Sequence, residues 1–210
     1  MIKRSMAKRG RPKASEEPAR REAVIQAALA ELTDKGYDKI TMLGIAKRAG
    51  ASKETLYTWF GSKEGLFAVL IQHQAEATVA RLNTAFDGRQ DVQETLTAFT
   101  LGFLKLLLGE PSVSLNRAAM AAPELASVLL QHGRHTAGPI VERYLKNCAE
   151  DGKLTITDPA RAFQLLYGLI VQDWQIRVLL GENPPTEEDL TSHAERAVCA
   201  FVKLCEDGLC

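Results

Sequence analysis

The sequence predicts an all-α protein of about nine helices. Runs of alternating β-branched and aromatic residues, which are typical of strands, do not occur in its 210 residues. From about residue 17 onward, apolar residues recur at helical spacing, and Ser, Thr, Pro and Gly stand where helices would begin and end. Hydrophobic residues make up 46% of the chain and charged residues 25%, which is typical of an ordinary soluble globular protein.

The N-terminal helices are delimited by capping residues. A first helix over "RREAVIQAALAELTDKG" ends at Gly36. Thr41 is the expected N-cap of a short helix in "TMLGIAKRAG", which ends at Gly50. Ser52 caps a second short helix, "SKETLYTWF", and Ser62 caps a longer one.

The later helices follow the same logic. After "DVQETLTAFTLGFLKLLL" and a short helix around "SLNRAAMAA", Pro123 suits the first turn of a long helix. Gly138-Pro139 lies in the middle of that helix and should kink it, which also makes it a plausible hinge. Another helix runs from Pro159 to about Leu180, and the last from about Thr186 to Glu206.

The net charge of zero hides a strong asymmetry. Residues 1–65 contain fourteen Lys or Arg against eight Asp or Glu, so the remaining residues carry the matching acidic excess. The first thirteen residues contain no acid and six bases, namely Lys3, Arg4, Lys8, Arg9, Arg11 and Lys13. This split indicates that the basic N-terminal part binds a polyanion and that the acidic remainder has a different function. A basic tail that only increases solubility is the alternative.

Metal, disulfide and membrane classes are disfavoured. The four cysteines have no C-x-x-C spacing, and no histidine cluster accompanies them, which argues against a zinc site or a disulfide framework. Charges recur through the first thirty residues, unlike in a signal peptide, and Gln172, Asp173 and Arg177 interrupt the longest apolar segment. We therefore expect a cytoplasmic protein without a metal or other cofactor, in a reducing compartment.

A helix-turn-helix is the strongest motif. Ala46 supplies the small residue needed where two helices cross, and Gly50, four positions later, supplies a residue that tolerates positive φ. The residues expected to face the shared core are Ile45, Ala49, Leu56 and Phe60. The outer face of the second helix can then hydrogen-bond base edges or phosphates. The alternative is a plain helical hairpin with a solvated polar face.

Residues 36–71, "GYDKITMLGIAKRAGASKETLYTWFGSKEGLFAVLI", resemble the DNA-binding domain of the TetR-type family of bacterial regulators. The shared marks are Gly36-Tyr37, Thr41, Ile45-Ala46, Ala49-Gly50, Ser52, Thr55-Leu56-Tyr57, Phe60 and Ser62-Lys63-Glu64. The resemblance covers roughly residues 18–71, and the rest is similar in helical layout, closest to the AefR-like branch. It implies a three-helix DNA-binding domain over 17–62 and a ligand-binding and dimerisation domain over 63–210. The charged residues of 1–16, with Gly10 and Pro12 to interrupt any helix, predict a disordered basic arm before them.

The resemblance also implies roles for individual residues. Thr41, Tyr57 and Lys63 would contact phosphates, and the residues that would face the major groove are Lys53, Glu54, Thr55 and Thr58. Ser52, the N-cap of this helix, is a further DNA-binding candidate. Glu54 stands where the family often has Gly, Ala or Pro, and a carboxylate there is expected to accept from the cytosine amino group. Leu43 stands where some members have a polar reader, so few contacts are expected from that helix. Trp59 either donates to a phosphate or packs in the core.

The arm carries a second, shorter resemblance. Arg9-Gly10-Arg11-Pro12 is similar to the core of an AT-hook, in which two arginines lie along a narrow A·T minor groove. Next to a helix-turn-helix, an arm that enters the adjacent minor groove is the preferred interpretation. A solvated tail is the alternative.

The acidic part of the chain predicts dimerisation. The helix over residues 159–180 is apolar nearly all round, and the helix over 186–206 has an apolar stripe. Both helices must therefore bury much of their surface against other helices. We expect them to pair with their copies in a two-fold four-helix interface, as the resemblance also implies. The alternative is an internal core in a monomer.

A pocket for a small organic effector is implied by the resemblance alone. Residues able to line it are Phe99, Phe103, Met120, Tyr144, Gln172 and Trp174, each of which could equally be plain core. The sequence thus favours a homodimeric repressor that binds a palindromic operator and is released by its effector. An architectural DNA-binding protein without ligand control is the rival. An enzyme is disfavoured, because nucleophile–base motifs and phosphate loops are missing.

Overall fold

The computed structural model describes residues 17–86 and 91–210, and the predicted basic arm lies outside them. The described residues form an all-α fold, as predicted, with eleven α-helices and one 3-10 turn at Tyr37–Lys39. The helices are α1 (Glu17–Lys35), α2 (Met42–Arg48), α3 (Lys53–Phe60), α4 (Lys63–Ala85), α5 (Val92–Leu108), α6 (Glu110–Ala121), α7 (Pro123–His132), α8 (Arg134–Glu150), α9 (Pro159–Val171), α10 (Trp174–Leu179) and α11 (Glu187–Glu206). There are more than the predicted nine because two of the expected helices are each divided.

The helix predicted from Pro159 to Leu180 is divided at Gln172. The Gln172 N–H still donates to the Gly168 carbonyl at 3.1 Å, which closes the last turn of α9. Gln172 then adopts φ 45° and ψ −129°, a conformation that cannot continue a helix. The chain resumes as α10 after Asp173, so the polar pair that interrupts the apolar segment lies exposed at the break.

The long helix predicted from Pro123 is divided at Gly133, and Pro139 lies inside α8. Gly138 lies where α8 packs closely against α9. A Cβ atom there would lie 3.2 Å from the Phe163 ring on α9 and 2.1 Å from the Arg134 guanidinium, which sits above that ring. Glycine therefore lets α8 and α9 approach.

Two apolar cores organise the molecule. The first joins α1–α4, and α6 and α7 complete it with Leu115, Ala118 and Leu125. The second joins α5 and α8–α11, and its most buried members include Leu145, Leu166 and Phe201. Helix α4 contributes to the first core near its start and, through Leu82, to the second near its end. Helix α6 likewise contributes to both, through Leu115 to the first and Val113 to the second, so α4 and α6 connect the two cores.

Cys205 and Cys210 form a disulfide, which the sequence had disfavoured. That prediction was wrong because the contact depends on how α11 ends. Gly208, with φ 74°, turns the chain back so that Cys210 returns to the last turn of the helix. The Cys210 carbonyl accepts hydrogen bonds from the Thr157 backbone N–H at 3.0 Å and the Thr157 hydroxyl at 2.9 Å. The C-terminal turn is thereby fixed next to the start of α9.

Within residues 17–86 and 91–210, no single helix has both the length and the apolar character to cross a membrane, although α5 and α6 reach those limits together as a bent pair.

Candidate nucleic-acid interface

Helices α2 and α3 cross as a helix-turn-helix. Ala46 is buried where they meet, and Ile45 and Leu56 are fully buried beside it. Gly50 has the positive φ that the turn requires, at 63°. The Ala51 N–H donates to the Ala46 carbonyl at 2.9 Å, which closes the turn. We call α1–α3 together, residues 17–60, the reading head.

Three predicted caps fix where the helices of this region begin. The hydroxyls of Thr41, Ser52 and Ser62 each accept a hydrogen bond at 3.1 Å from the backbone N–H three residues later. Thr41 caps α2, Ser52 caps α3 and Ser62 caps α4. Because each cap satisfies a backbone N–H that would otherwise lack a partner, the orientation of α3 relative to α2 and α4 is locally encoded.

The outer face of α3 is polar and exposed. Lys53, Glu54, Tyr57 and Thr58 are exposed and Thr55 is half-buried. The Lys53 ammonium lies 5.5 Å from the centre of the Tyr57 ring, and the Thr58 hydroxyl donates to the Glu54 carbonyl at 2.9 Å. The face therefore offers a cation, a phenol and hydroxyl oxygens that can still accept.

Glu54 stands in the first turn of α3. Its own backbone N–H and the Ser52 hydroxyl hold the pKa of the carboxyl below its ordinary value. The side chain is thus an ionised acceptor at neutral pH. The carboxylate can accept a hydrogen bond from an amino group on a base edge, whereas a phosphate would repel its negative charge.

Two other predicted DNA contacts are engaged with the protein itself. The Lys63 ammonium donates to the Tyr37 carbonyl at 3.2 Å and lies 4.1 Å from the centre of the Tyr37 ring. Trp59 is half-buried against the first core, and its carbonyl accepts from Arg21 at 3.2 Å. Lys63 would have to leave Tyr37 to reach a phosphate. Arg9 and Arg11 lie outside the described residues.

Glu31, which the sequence analysis did not single out as functional, anchors the reading head. It is only 6% exposed, and its carboxylate accepts from Lys35 at 2.5 Å and from Arg48 on α2 at 3.1 Å. Arg48 also contacts Asp34 at 2.6 Å. The hydrogen bond from Lys35, followed by the other contacts with Lys35 and Arg48, lowers the pKa of Glu31 despite its burial. A glutamate within the apolar stripe of α1 was the available sequence signal.

Gly65 is a second residue that sequence reasoning missed. It lies in the first turn of α4, where a Cβ atom would be 2.2 Å from the Phe60 carbonyl oxygen. Because that oxygen belongs to the backbone at the end of α3, a larger residue cannot be accommodated by a side-chain rotation. The glycine inside an otherwise good helical segment was its only sequence signal.

The six predicted effector residues are not one cluster. Phe99, Phe103 and Tyr144 lie together in the second core. Gln172 is exposed at the α9–α10 break, and Met120 on α6 is 68% exposed. Trp174 packs on His193 at 4.4 Å and lines an open cleft of about 330 Å³ between α10 and α11.

Phe99, Phe103 and Tyr144 belong to a continuous series of rings that we call the aromatic row. Neighbouring ring centres are 4.2–6.2 Å apart, within the range of favourable aromatic contacts. In spatial order the row consists of Tyr144, Phe86, Phe99, Phe103, Tyr167 and Phe163. It extends from the end of α4 to α9.

Two family models match the chain. Residues 24–70 match the model for bacterial regulatory proteins of the TetR family. Residues 94–204, more than half of the chain, match the model for the C-terminal domain of AefR-like transcriptional repressors.

Curated relatives match the N-terminal part. The nucleoid occlusion factor SlmA of Marinobacter nauticus is 33% identical over 82 residues, which are 39% of this chain and 42% of that protein. The alignment therefore spans about two fifths of the length of that relative.

Solved structures are similar over almost the whole chain. A TetR transcriptional regulator from Agrobacterium tumefaciens is 32% identical with a TM-score of 0.72, over 88% of this chain and 93% of the other. The flavonoid-responsive regulator FrrA is 27% identical with a TM-score of 0.67, over 90% of this chain and 97% of the other.

Proposed function

Because the chain belongs to the TetR family of bacterial regulatory proteins, we propose that it is a DNA-binding transcriptional regulator. It acts as a homodimeric repressor of a palindromic operator and is released by a small organic effector. It works in the cytoplasm and catalyses no reaction. The observation that carries the proposal is the exposed polar face of α3 on a well-capped helix-turn-helix.

In this proposal α3 enters the major groove. Lys53 and Glu54 read base edges, while Tyr57 donates its phenolic proton to a phosphate. Ser52, Thr55 and Thr58 contribute hydroxyl oxygens at the groove, and Thr41 and Lys63 contact the backbone on either side. Arg9 and Arg11 follow the adjacent minor groove, which adds a salt-dependent contribution to affinity.

Helices α9, α10 and α11 pair with those of a second copy. Leu165 and Leu169 are one turn apart on α9 and only half-buried. Ile176 on α10 is 50% exposed, and Leu180, directly after α10, is 81% exposed. An apolar surface of this kind is costly to hydrate in a monomer. A two-fold interface covers it and presents two α3 helices to half-sites about 34 Å apart or at a multiple of that distance.

The aromatic row supports effector control by an aromatic molecule. FrrA, which is similar over nearly the whole chain, responds to flavonoids according to its description. In the present protein Phe86 stacks on Tyr144 and Phe99 stacks on Phe103, so an aromatic effector bound among these rings would make contacts of the same kind. We therefore propose flavonoid-like or other planar aromatic compounds as the effector class.

A second candidate is an architectural DNA-binding protein without ligand control. It is favoured by the similarity of the N-terminal part to SlmA, which is described as a nucleoid occlusion factor. This candidate predicts weak discrimination between DNA sequences and no release by small molecules. A regulator, in contrast, should bind its operator at least about 10³-fold more tightly than random DNA at the same salt concentration.

Selection of genomic DNA fragments by the purified full chain tests the proposal. The expected product is a short motif with two-fold symmetry, bound by one dimer, with an affinity that falls steeply as salt increases. A panel of flavonoids and simple phenols is then screened for release of that fragment. Unselective binding would support the architectural candidate, and a monomeric chain without affinity for DNA would contradict both.

A further inference from the structure

The cleft between α10 and α11 lies outside both the reading head and the aromatic row. Its volume is about 330 Å³, at the lower end of the range found for small-molecule sites. Trp174 and Arg177 line it from α10, and Ser192 and Arg196 line it from α11. Residues of the loop between the two helices complete its walls.

Local contacts hold the walls of this cleft in place. Gly181, with φ 109°, turns the chain after α10, and the Glu182 backbone N–H donates to the Arg177 carbonyl at 3.0 Å. The Glu182 carboxylate also accepts from the Arg177 Nε at 2.8 Å, which ties the loop back to α10. At the start of α11, Thr186 and Asp189 cap the helix reciprocally. The shape of the cleft is therefore encoded in the chain itself.

An aromatic surface is fixed inside the cleft. Trp174 is half-buried, and its ring centre lies 4.4 Å from that of His193. His193 is only 4% exposed, and its Nε2 donates to the Ile170 carbonyl on α9 at 2.9 Å. Because the imidazole is held by α9, the indole that lines the cleft rests on a fixed ring.

Arg196 supplies a cation without an acidic partner. Its guanidinium donates to the Ser192 hydroxyl one turn earlier, and no salt bridge to it occurs in the part of the chain that the structure describes. Arg177, the other cation of the cleft, is instead paired with Glu182 at 2.6 Å. A guanidinium carries several N–H donors in one plane, so those of Arg196 can bind a further acceptor. A carboxylate is the group that matches this planar array.

Two carboxylates also line the cleft. Arg177 engages one oxygen of Glu182, and the Thr186 hydroxyl engages one oxygen of Asp189 at 2.6 Å, so each carboxylate keeps a second oxygen that can accept. Hydrogen bonds from the hydroxyl and the backbone N–H of Thr186 lower the pKa of Asp189, which is therefore ionised at neutral pH. Cations and anions thus balance along the walls, which favours a ligand that carries both charges.

The cleft lies on the opposite side of α10 from the apolar surface proposed for pairing. Trp174 and Val178 are one turn apart and line the cleft. Ile176 and Leu180 follow them by two residues each, which places them about 200° further round the helix. The proposed dimer therefore leaves the cleft open on α10.

We propose that this cleft binds a small zwitterion, namely a free α-amino acid with an apolar or aromatic side chain. Arg196 binds the α-carboxylate through paired N–H donors. Glu182 and Asp189 accept from the α-ammonium, and the side chain of the ligand packs on Trp174. Occupation of this cleft requires neither DNA nor an effector in the aromatic row, so it goes beyond the proposed function.

Calorimetric titration of the full chain with L-phenylalanine tests the cleft, and two analogues test its charges. Hydrocinnamate lacks the ammonium group, and phenethylamine lacks the carboxylate. Each should bind at least about ten-fold more weakly than L-phenylalanine, because charged groups of the protein lose their partner. L-Alanine keeps both charges without a ring and should also bind more weakly, because it cannot pack on Trp174.

Arg196→Gln distinguishes this cleft from any other binding place on the protein. It should weaken L-phenylalanine binding at least about ten-fold and leave phenethylamine binding unchanged, since that probe has no carboxylate. Arg161→Gln, at an exposed arginine on α9, is the matched control and should bind L-phenylalanine like the natural chain. Arg196→Lys keeps the charge without the paired donors and should have an intermediate affinity.

No binding of L-phenylalanine at millimolar concentration would overturn the proposal, as would equal affinity for hydrocinnamate. Full affinity in Arg196→Gln, or an equal loss in Arg161→Gln, would also overturn it. Circular dichroism reports whether the variants fold, and if Arg196→Gln does not, full affinity in a folded Arg196→Lys contradicts the site. Charge-dependent binding by a chain that binds no DNA would sustain the cleft and refute only the regulatory function.

Discussion

Arg48 on α2 reaches back to Glu31 on α1, with 3.1 Å between its guanidinium Nη1 and the carboxylate Oε1. Glu31 is the one buried carboxylate among residues 17–86 and 91–210. The pair therefore holds α2, the helix before α3, against α1. The buried Glu31 carboxylate depends on both of its cationic partners, Lys35 and Arg48.

Replacing Arg48 with Met should lower the free energy of unfolding, because the buried Glu31 carboxylate retains only Lys35 as a partner. Urea unfolding followed by circular dichroism measures the change. Lys47→Met is the matched control, since Lys47 is the exposed neighbour on the same helix. Equal stability of the two variants would show that the contact between α1 and α2 contributes nothing.

The same carboxylate predicts an acid-sensitive contribution to stability. The pKa of Glu31 is lowered in the folded chain from an ordinary value of 4.5, so the folded state retains the charge after the unfolded state has taken up a proton. The contribution is complete above the ordinary pKa and is lost as the pH falls through the lowered one. The unfolding free energy of Glu31→Gln should therefore depend less on pH below about 5 than that of the natural chain. Parallel pH profiles would contradict this assignment.

The reading head could be predicted closely because its signals are local. Caps at Thr41, Ser52 and Ser62, the crossing at Ala46 and the turn at Gly50 each act within a few residues. A stretch of a few residues therefore contains the signals that determine each helix start and the turn between the helices. The exposed face of α3 then follows from helical geometry alone.

The features that were missed depend on distant parts of the chain or on rare conformations. Gln172 breaks its helix with a positive φ that glutamine seldom adopts. The disulfide requires the turn at Gly208 and the contact of Cys210 with Thr157. Phe86 reaches Tyr144, far along the chain, only after α5 and α8 have packed. The spacing of apolar residues along the sequence reports neither an unusual backbone angle nor a contact between distant residues.

Gly65→Ala should damage the reading head. The added methyl group would lie 2.2 Å from the Phe60 carbonyl oxygen, so the junction of α3 and α4 must shift. We expect a loss of stability of at least about 2 kcal/mol and a loss of DNA affinity. Gly102→Ala is the control, since a Cβ atom there meets no atom within 4 Å and should stabilise α5 by about 0.5–1 kcal/mol. Thermal unfolding of both variants tests whether the close contact, and not the loss of glycine, is responsible.

Reduction of the Cys205–Cys210 disulfide should lower stability by about 2 kcal/mol, the value expected for closing so short a loop. The thermal midpoint with and without dithiothreitol measures the effect, and mass spectrometry reports whether the bond is present. Cys210→Ser should behave like the reduced protein in both conditions. Cys199→Ser, at an exposed free cysteine, should retain the full response to the reductant. A chain that shows four reactive thiols after mild oxidation would contradict the pairing.

Base recognition by α3 can be separated from backbone contact by the pattern of affinity changes. Lys53 and Glu54 are both fully outside the core, so their truncation to Ala should leave stability nearly unchanged. Each should alter preference at one or two base pairs per half-site, with about 1–3 kcal/mol of discrimination lost at that position. Tyr57→Phe removes only a hydroxyl and should instead weaken binding to every sequence alike. Fragment selection repeated with each variant makes the comparison. If Glu54→Ala selects the same motif as the natural chain, the carboxylate does not read a base, and its role is confined to the first turn of α3.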